Sequence, residues 1–186
     1  RLLAYSSIAH MGYLLIAFLA TGHLAATAVG YYLIAYFISI LGAFGVVTML
    51  SGAKDDDAAG LEEYRGLGWR RPWLAGILAS MMLSLAGIPL TAGFIGKFYI
   101  MAAGAKSALW LLLITLVINS AIGLYYYLRV IVVLYSQEEP LEERGVRRRF
   151  AGGLVLAVLA VLLIWLGVYP GPFIDLISIA VAGIRS

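Results

Sequence analysis

One lysine interrupts the most apolar part of this chain. Lys97 closes the stretch SLAGIPLTAGFIGK, after Gly87, Pro89 and Gly93. An ammonium inside hydrocarbon costs several kcal/mol by most estimates, so about the only lysines that persist there have a task. Pro89 has no N–H to give to a helix, and its ring clashes with the preceding turn. The backbone groups freed at such a break cannot face lipid, and must be buried in protein or line a wet cavity. Broken helices of this kind build ion sites in transporters, where half-helix ends supply partial charge. A desolvated lysine is also a group that can load and release a proton. The alternative for Lys97 is a side chain that snorkels to the nearer headgroups.

His10 offers the second proton-handling group. Ser6 lies at i−4 from it and Tyr13 at i+3, so the three share one helix face. In YSSIAHMGY this face is a polar stripe on an otherwise apolar helix, able to hold water. Histidine can pass a proton between its two ring nitrogens near neutral pH. The competing reading is a neutral histidine that glues helices by bonding a hydroxyl. Ser84, Thr91 and Asn119 are further candidates for a polar lining. Asn119 is also suited to bonding a neighbouring helix. His23 falls in a short turn and is expected to be solvated.

The elements that hold these residues follow from composition. Of 186 residues 63% are hydrophobic and 12% charged, against about a quarter charged in soluble domains. With mean hydropathy +0.97, the expectation is an all-α polytopic transmembrane bundle. A span needs about 20 apolar residues. Five are expected, at 2–20, 28–50, 73–103, 108–135 and 150–169, with the third broken at Gly87–Gly93. The whole of 1–186 reads as one transmembrane unit, with hydrophilic connections at 51–72 and 136–149. The tail after Pro170–Pro172 is too short to cross again and suits the interface. Counting back from Ala103, Lys97 lies roughly 9 Å inside the membrane, and His10 roughly 12 Å from Leu2.

Charge sets the orientation. With alternating spans, Arg1, Lys54, Arg65, Arg70, Arg71, Arg144 and Arg147–Arg149 share one side, joined by a snorkelling Arg129. The other side has Lys106 and Arg185. The side rich in Lys and Arg is expected to be cytoplasmic, placing Arg1 inside and Ser186 outside. Topology thereby accounts for the net charge of +3, and no nucleic-acid partner is needed. Starting at Arg1 with no charged-then-apolar leader, the chain reads as a fragment or processed piece.

Several chemistries find no support. There is no cysteine, which excludes thiolate metal sites, Fe–S clusters and disulfides, and two histidines are too few for a metal site without a partner chain. Asp55–Asp57 and Glu62–Glu63 read as a solvated loop without calcium-loop spacing, and no phosphate-binding glycine motif is present. The acidic residues lie in loops, apart from Asp175 in the tail, so a carboxylate partner for Lys97 would come from elsewhere. Tyr125–Tyr127 read as interfacial anchors, and Leu41–Gly45 as small residues for close helix contact.

RLLAYSSIAHMGY, LGAFGVV, YRGL, SLAGIPLTAGFIGKFY and GLYYYLRV together resemble the antiporter-like membrane subunits of bacterial respiratory complex I, the C-terminal part of the subunit N type above all. GIPLTAGFIGKFY is the most specific block, and the likeness runs over essentially the entire chain. Sodium/proton antiporters of the Mrp type share the architecture and stand as the alternative. The resemblance implies about fourteen transmembrane helices built on two inverted five-helix repeats, this chain supplying the last five. It also implies that Lys97 is the terminal lysine on the second broken helix, tied to proton exit, and that His10 belongs to the water-lined axis before it. A glutamate and two lysines of that axis belong to helices outside this chain. NADH, flavin, Fe–S clusters and quinone would be held by partner subunits of a NADH:quinone oxidoreductase. This chain itself would carry no cofactor or metal, and would move protons outward across a bacterial inner membrane.

Overall fold

A computed structural model of the chain describes residues 1–50, 60–136 and 150–185, and every regular element among them is helical. The run from Leu2 to Ala20 carries no proline and forms α1 (Leu2–Leu19), which stops at a turn where Gly22 takes a φ of 99°. α2 (His23–Leu50) starts five residues earlier than the expected 28, because His23 opens it: the Thr27 hydroxyl donates back to the His23 carbonyl at 3.1 Å. The first hydrophilic connection was expected as a loop. Its described part holds a 3-10 turn (Leu61–Tyr64) and a one-turn helix, α3 (Leu67–Arg70). The polar residues hid a set of apolar anchors, of which Leu67 is buried, and Trp69 donates its indole N–H to the Tyr135 carbonyl at 3.1 Å. The Gly66 N–H donates to the Val133 carbonyl at 3.3 Å. Lys54, Asp55–Asp57, Arg144 and Arg147–Arg149 lie outside the described residues.

α4 (Pro72–Ala86) begins with proline at its first helical position, where the missing N–H costs nothing. It is followed by α5 (Ala92–Lys106), α6 (Trp110–Tyr135), α7 (Phe150–Val168) and α8 (Gly171–Arg185). α8 turns 86° away from α7 at the Pro170 corner. Among the described residues three helices, α1, α2 and α6, are long and apolar enough to cross a bilayer alone, and a fourth if α7 and α8 are one bent span. Length and composition therefore do not reach the expected five. α4 and α5 are halves of 15 residues, about 22 Å each against the roughly 30 Å of hydrocarbon.

α2 is the hub, packing against α1, α4, α5, α7 and α8. Its LGAFG stretch makes the close contacts expected of it. Gly42 faces Met81 of α4, Gly45 faces Leu156 of α7, and Ala43 is fully buried. α6 is covered on one side only: Leu111, Ile114, Ile118 and Val132 are more than half exposed, a continuous apolar face suited to hydrocarbon or another helix.

Hydrogen bonds gather the helix ends. At one end the Thr21 N–H donates to the Ser107 hydroxyl, and the His23 Nε2–H donates to the Ser178 carbonyl, both at 3.1 Å. His23 is thus an exposed tie to α8 rather than a merely solvated residue. At the other end α3 sits on the last turn of α6. Trp69→Phe removes one hydrogen bond there and is expected to weaken this docking by about 1 kcal/mol. Amide hydrogen exchange over residues 67–70 is the check, and should rise roughly fivefold.

Candidate functional site

The break between α4 and α5 runs from Gly87 to Thr91. Gly93, expected inside it, belongs to the first turn of α5. Gly87 adopts a φ of 82°, a left-handed value that glycine takes without steric cost. Its N–H donates to the Ser84 carbonyl at 2.9 Å, and the Ile88 N–H donates to the Leu83 carbonyl at 3.0 Å. This helix ending satisfies the carbonyls of Leu83 and Ser84 and leaves those of Leu85 and Ala86 facing the break.

Lys97 takes both. Its ammonium donates to the Leu85 carbonyl at 3.0 Å and to the Ala86 carbonyl at 2.9 Å. The third proton goes to the Ser120 hydroxyl of α6 at 2.8 Å. The cation thus caps the negative end of the α4 dipole, and every N–H it carries has a partner. Lys97 is only 6% exposed, and its side chain turns back to the break, where these carbonyls hold it. The ring of Tyr13 lies 5.5 Å from Nζ, close enough for a cation–π contact. All three hydrogen-bonded partners are neutral oxygens.

Ser84 and Thr91 both bond the backbone of the break. The Ser84 hydroxyl accepts the Gly93 N–H at 3.1 Å and lies 2.8 Å from the Ser39 hydroxyl of α2. Thr91 donates to the Ile88 carbonyl at 2.7 Å. A Cβ on Gly93 would collide with the Ser84 carbonyl, so the start of α5 abuts the end of α4 at a distance that excludes any side chain. A Cβ on Gly167 of α7 would come within 2.4 Å of the Leu90 carbonyl and 2.5 Å of the Thr91 backbone, so α7 covers one side of the break. Pro89 and Leu90 are exposed, and Leu90 holds a φ of 73°.

His10 is 3% exposed and bracketed by hydroxyls. Its Nδ1 lies 2.8 Å from the Tyr32 hydroxyl, and its Nε2 lies 3.4 Å from that of Tyr127. Tyr127 is hydrogen-bonded in turn to Ser6. Tyr36 stacks on the imidazole with ring centres 5.2 Å apart. The Tyr13 ring is 5.4 Å from that of His10 and thus borders both His10 and Lys97.

Ser6, His10 and Tyr13 share the buried face of α1, and Tyr13 lies beside both His10 and Lys97. Asn119 does not join them and lies on the exposed side of α6. Its neighbour Ser120 is the residue that turns inward. Tyr127 also departs from expectation: it is 5% exposed, while Tyr125 and Tyr126 are 63% and 46% exposed and remain suited to anchoring. Tyr32 was not anticipated. Tyr32 had a usable signal, since YYLIAY puts Tyr32 and Tyr36 one turn apart in an apolar helix. Among the described residues no group of acidic or histidine side chains is placed to hold a metal ion.

Residues 1–123 match the family described as NADH:quinone oxidoreductase/Mrp antiporter, TM. The NADH-quinone oxidoreductase subunit N of Ectopseudomonas mendocina (strain ymp) is 54% identical over 95% of this chain and 37% of its own length. That of Chromohalobacter salexigens is also 54% identical, over 98% of this chain and 39% of its own length. The chain thus spans less than two fifths of the curated relatives it matches. A chain of respiratory complex I from Thermus thermophilus with bound aureothin superposes with a TM-score of 0.81 at 34% identity, over 93% of this chain and 38% of that one. A chain of the Mrp complex from Dietzia sp. DQ12-45-1b gives a TM-score of 0.78 at 18% identity, over 97% of this chain and 41% of that one, which is a likeness of fold alone.

Proposed function

This chain belongs to the NADH:quinone oxidoreductase/Mrp antiporter membrane family, and from that premise we propose that it moves protons outward through the membrane part of a NADH:quinone oxidoreductase. Electron transfer in partner subunits drives the movement, and NADH, flavin, Fe–S clusters and quinone are handled there. One observation carries the reading: a buried ammonium sits in a helix break, held by neutral oxygens. A carboxylate would lock that charge in place. Carbonyl dipoles hold it without doing so, and leave it able to exchange a proton with water that reaches the break.

In this reading α4 and α5 together form one broken span and α7 another, giving five with α1, α2 and α6. α8 lies along the interface, as its 86° turn allows. The end bearing Arg1, Arg65, Arg70 and Arg71 is cytoplasmic, and the end bearing Lys106 faces outward across the bacterial inner membrane. The 54% identity to two subunit N relatives supports the respiratory assignment. No observation of comparable weight favours a sodium/proton antiporter.

The two are separated by their energy source. In vesicles carrying the whole complex, NADH oxidation should acidify the lumen with sodium absent. Proton movement that ignores NADH and follows a sodium gradient would overturn the proposal.

A further inference from the structure

α6 divides lengthwise into three faces. Leu113, Leu116, Tyr127, Val130 and Leu134 are buried against the rest of the bundle. Ile114, Ile118, Tyr125 and Val132 are more than half exposed and form an apolar wall. On one flank between them runs a third face of Thr115, Asn119, Ile122, Tyr126 and Arg129, all exposed. Their positions advance by four, three, four and three residues. Such spacing averages 3.5 residues, the repeat that keeps one long helix in register against another.

Two of these residues are costly to leave in hydrocarbon. Asn119 is nine residues after Trp110, roughly 13 Å along the helix, and its short side chain reaches neither headgroup layer. Arg129 lies about 15 Å further toward the Tyr135 end. Among the described residues neither side chain has a hydrogen bond or an ion pair. The Thr115 hydroxyl, by contrast, is satisfied by the Leu111 carbonyl at 2.9 Å. An amide or a guanidinium facing lipid tails forfeits its hydrogen bonds. Away from their ends, α1, α2, α4, α5 and α7 expose neither an amide nor a charge among the described residues.

We infer that this face of α6 docks a transmembrane helix of a partner subunit, with a carboxylate set against Arg129 and a hydrogen-bonding side chain set against Asn119. The inference rests on the reading of the chain as one subunit of a larger membrane complex. The partner's two groups stand about 15 Å apart on one helix face. A guanidinium and a carboxylate join through two parallel N–H···O bonds, and a paired asparagine fixes the register of two helices. The position of α6 favours an outside partner, because α2 is ringed by helices of its own chain while α6 stands at the edge. Chains made separately must also tell one neighbour from another. A matched charge and a matched amide do that, whereas the plain apolar faces of α1 and α7 do not.

In the whole complex, purified through a tag on a redox subunit, photoreactive p-benzoylphenylalanine in place of Asn119 should cross-link to another membrane subunit. Mass spectrometry should place the adduct on an apolar segment that contains Asp or Glu. Asn119→Leu and Arg129→Gln should each lower retention of this subunit in the purified complex at least threefold, while Ile114→Ala leaves it unchanged. Arg129→Glu should lose more, and exchanging the cross-linked segment's carboxylate for arginine should restore it. Cross-links confined to lipid or to this subunit's own polypeptide overturn the docking. Where the photoprobe prevents assembly, Asn119→Leu decides: in lipid a leucine is favoured over an amide, so retention equal to the parent's overturns the docking. In both cases co-purification of the parent subunit with NADH oxidation leaves the proposed function standing. If the parent subunit does not co-purify with NADH oxidation, both fall.

Discussion

Lys97→Ala is expected to reduce NADH-driven proton translocation by roughly tenfold or more, corresponding to at least about 1.4 kcal/mol of lost barrier lowering. In the proposed mechanism the substitution removes the exchangeable proton itself. It also strips the Leu85 and Ala86 carbonyls of their donors, and an unsatisfied buried acceptor costs about 1–3 kcal/mol. Water entering the vacated space offsets part of that, so the complex should still assemble. Lys97→Arg sharpens the test. Arginine keeps a positive charge and can still bond carbonyls, but it does not give up its proton in proteins. If Lys97 serves only to cap α4, arginine restores function. If Lys97 exchanges protons, Lys97→Arg pumps as poorly as Lys97→Ala while assembling better. Normal acidification by vesicles bearing Lys97→Ala would remove proton transfer from this site.

Gly93→Ala should be among the most damaging single-methyl additions in the chain. The atom it meets is the Ser84 carbonyl oxygen, which is backbone and already accepts the Gly87 N–H. Overpacking ordinarily costs about 1–3 kcal/mol when side chains can adjust. Here α4 and α5 must separate instead, pulling Lys97 off its carbonyls. The subunit is expected to be depleted from membranes, and a larger side chain such as valine should abolish its accumulation. Gly76→Ala is the internal contrast. Nothing lies within 4 Å of its added methyl, and alanine in a helix interior is favoured over glycine by roughly 0.5–1 kcal/mol. Equal membrane abundance of Gly93→Ala and Gly76→Ala would show that the close approach at the break does not govern folding.

These residues also show what the sequence could and could not disclose. The break was readable because Gly87 and Pro89 are unlike anything else in an apolar run, and Lys97 stood out by its charge. Its acceptors were not readable, since two are main-chain carbonyls, and any residue offers those. The third turned on a single position: adjacent residues of a helix point roughly 100° apart. Asn119 and Ser120 cannot be ranked until the rotation of α6 against α5 is known. The same ambiguity concealed Tyr127 within three consecutive tyrosines. α3 was missed for another reason, because its charged neighbours made Leu67 and Trp69 look like loop residues. Length was the remaining weakness. The two half-helices at 73–103 were expected, but among the described residues only three helices, or four with α7 and α8 as one bent span, are long and apolar enough to cross, short of the expected five.

The way Lys97 is held has an evolutionary consequence. Two of its three acceptors belong to the main chain, so no codon change can delete them. Natural variation can adjust the polarity around the amine chiefly at position 120, where exchanging a hydroxyl for another small group alters one contact and leaves the scaffold intact. If the proposed proton carriage holds, lineages adapting it to a different membrane voltage or external acidity are expected to diverge at that serine before they diverge at the lysine.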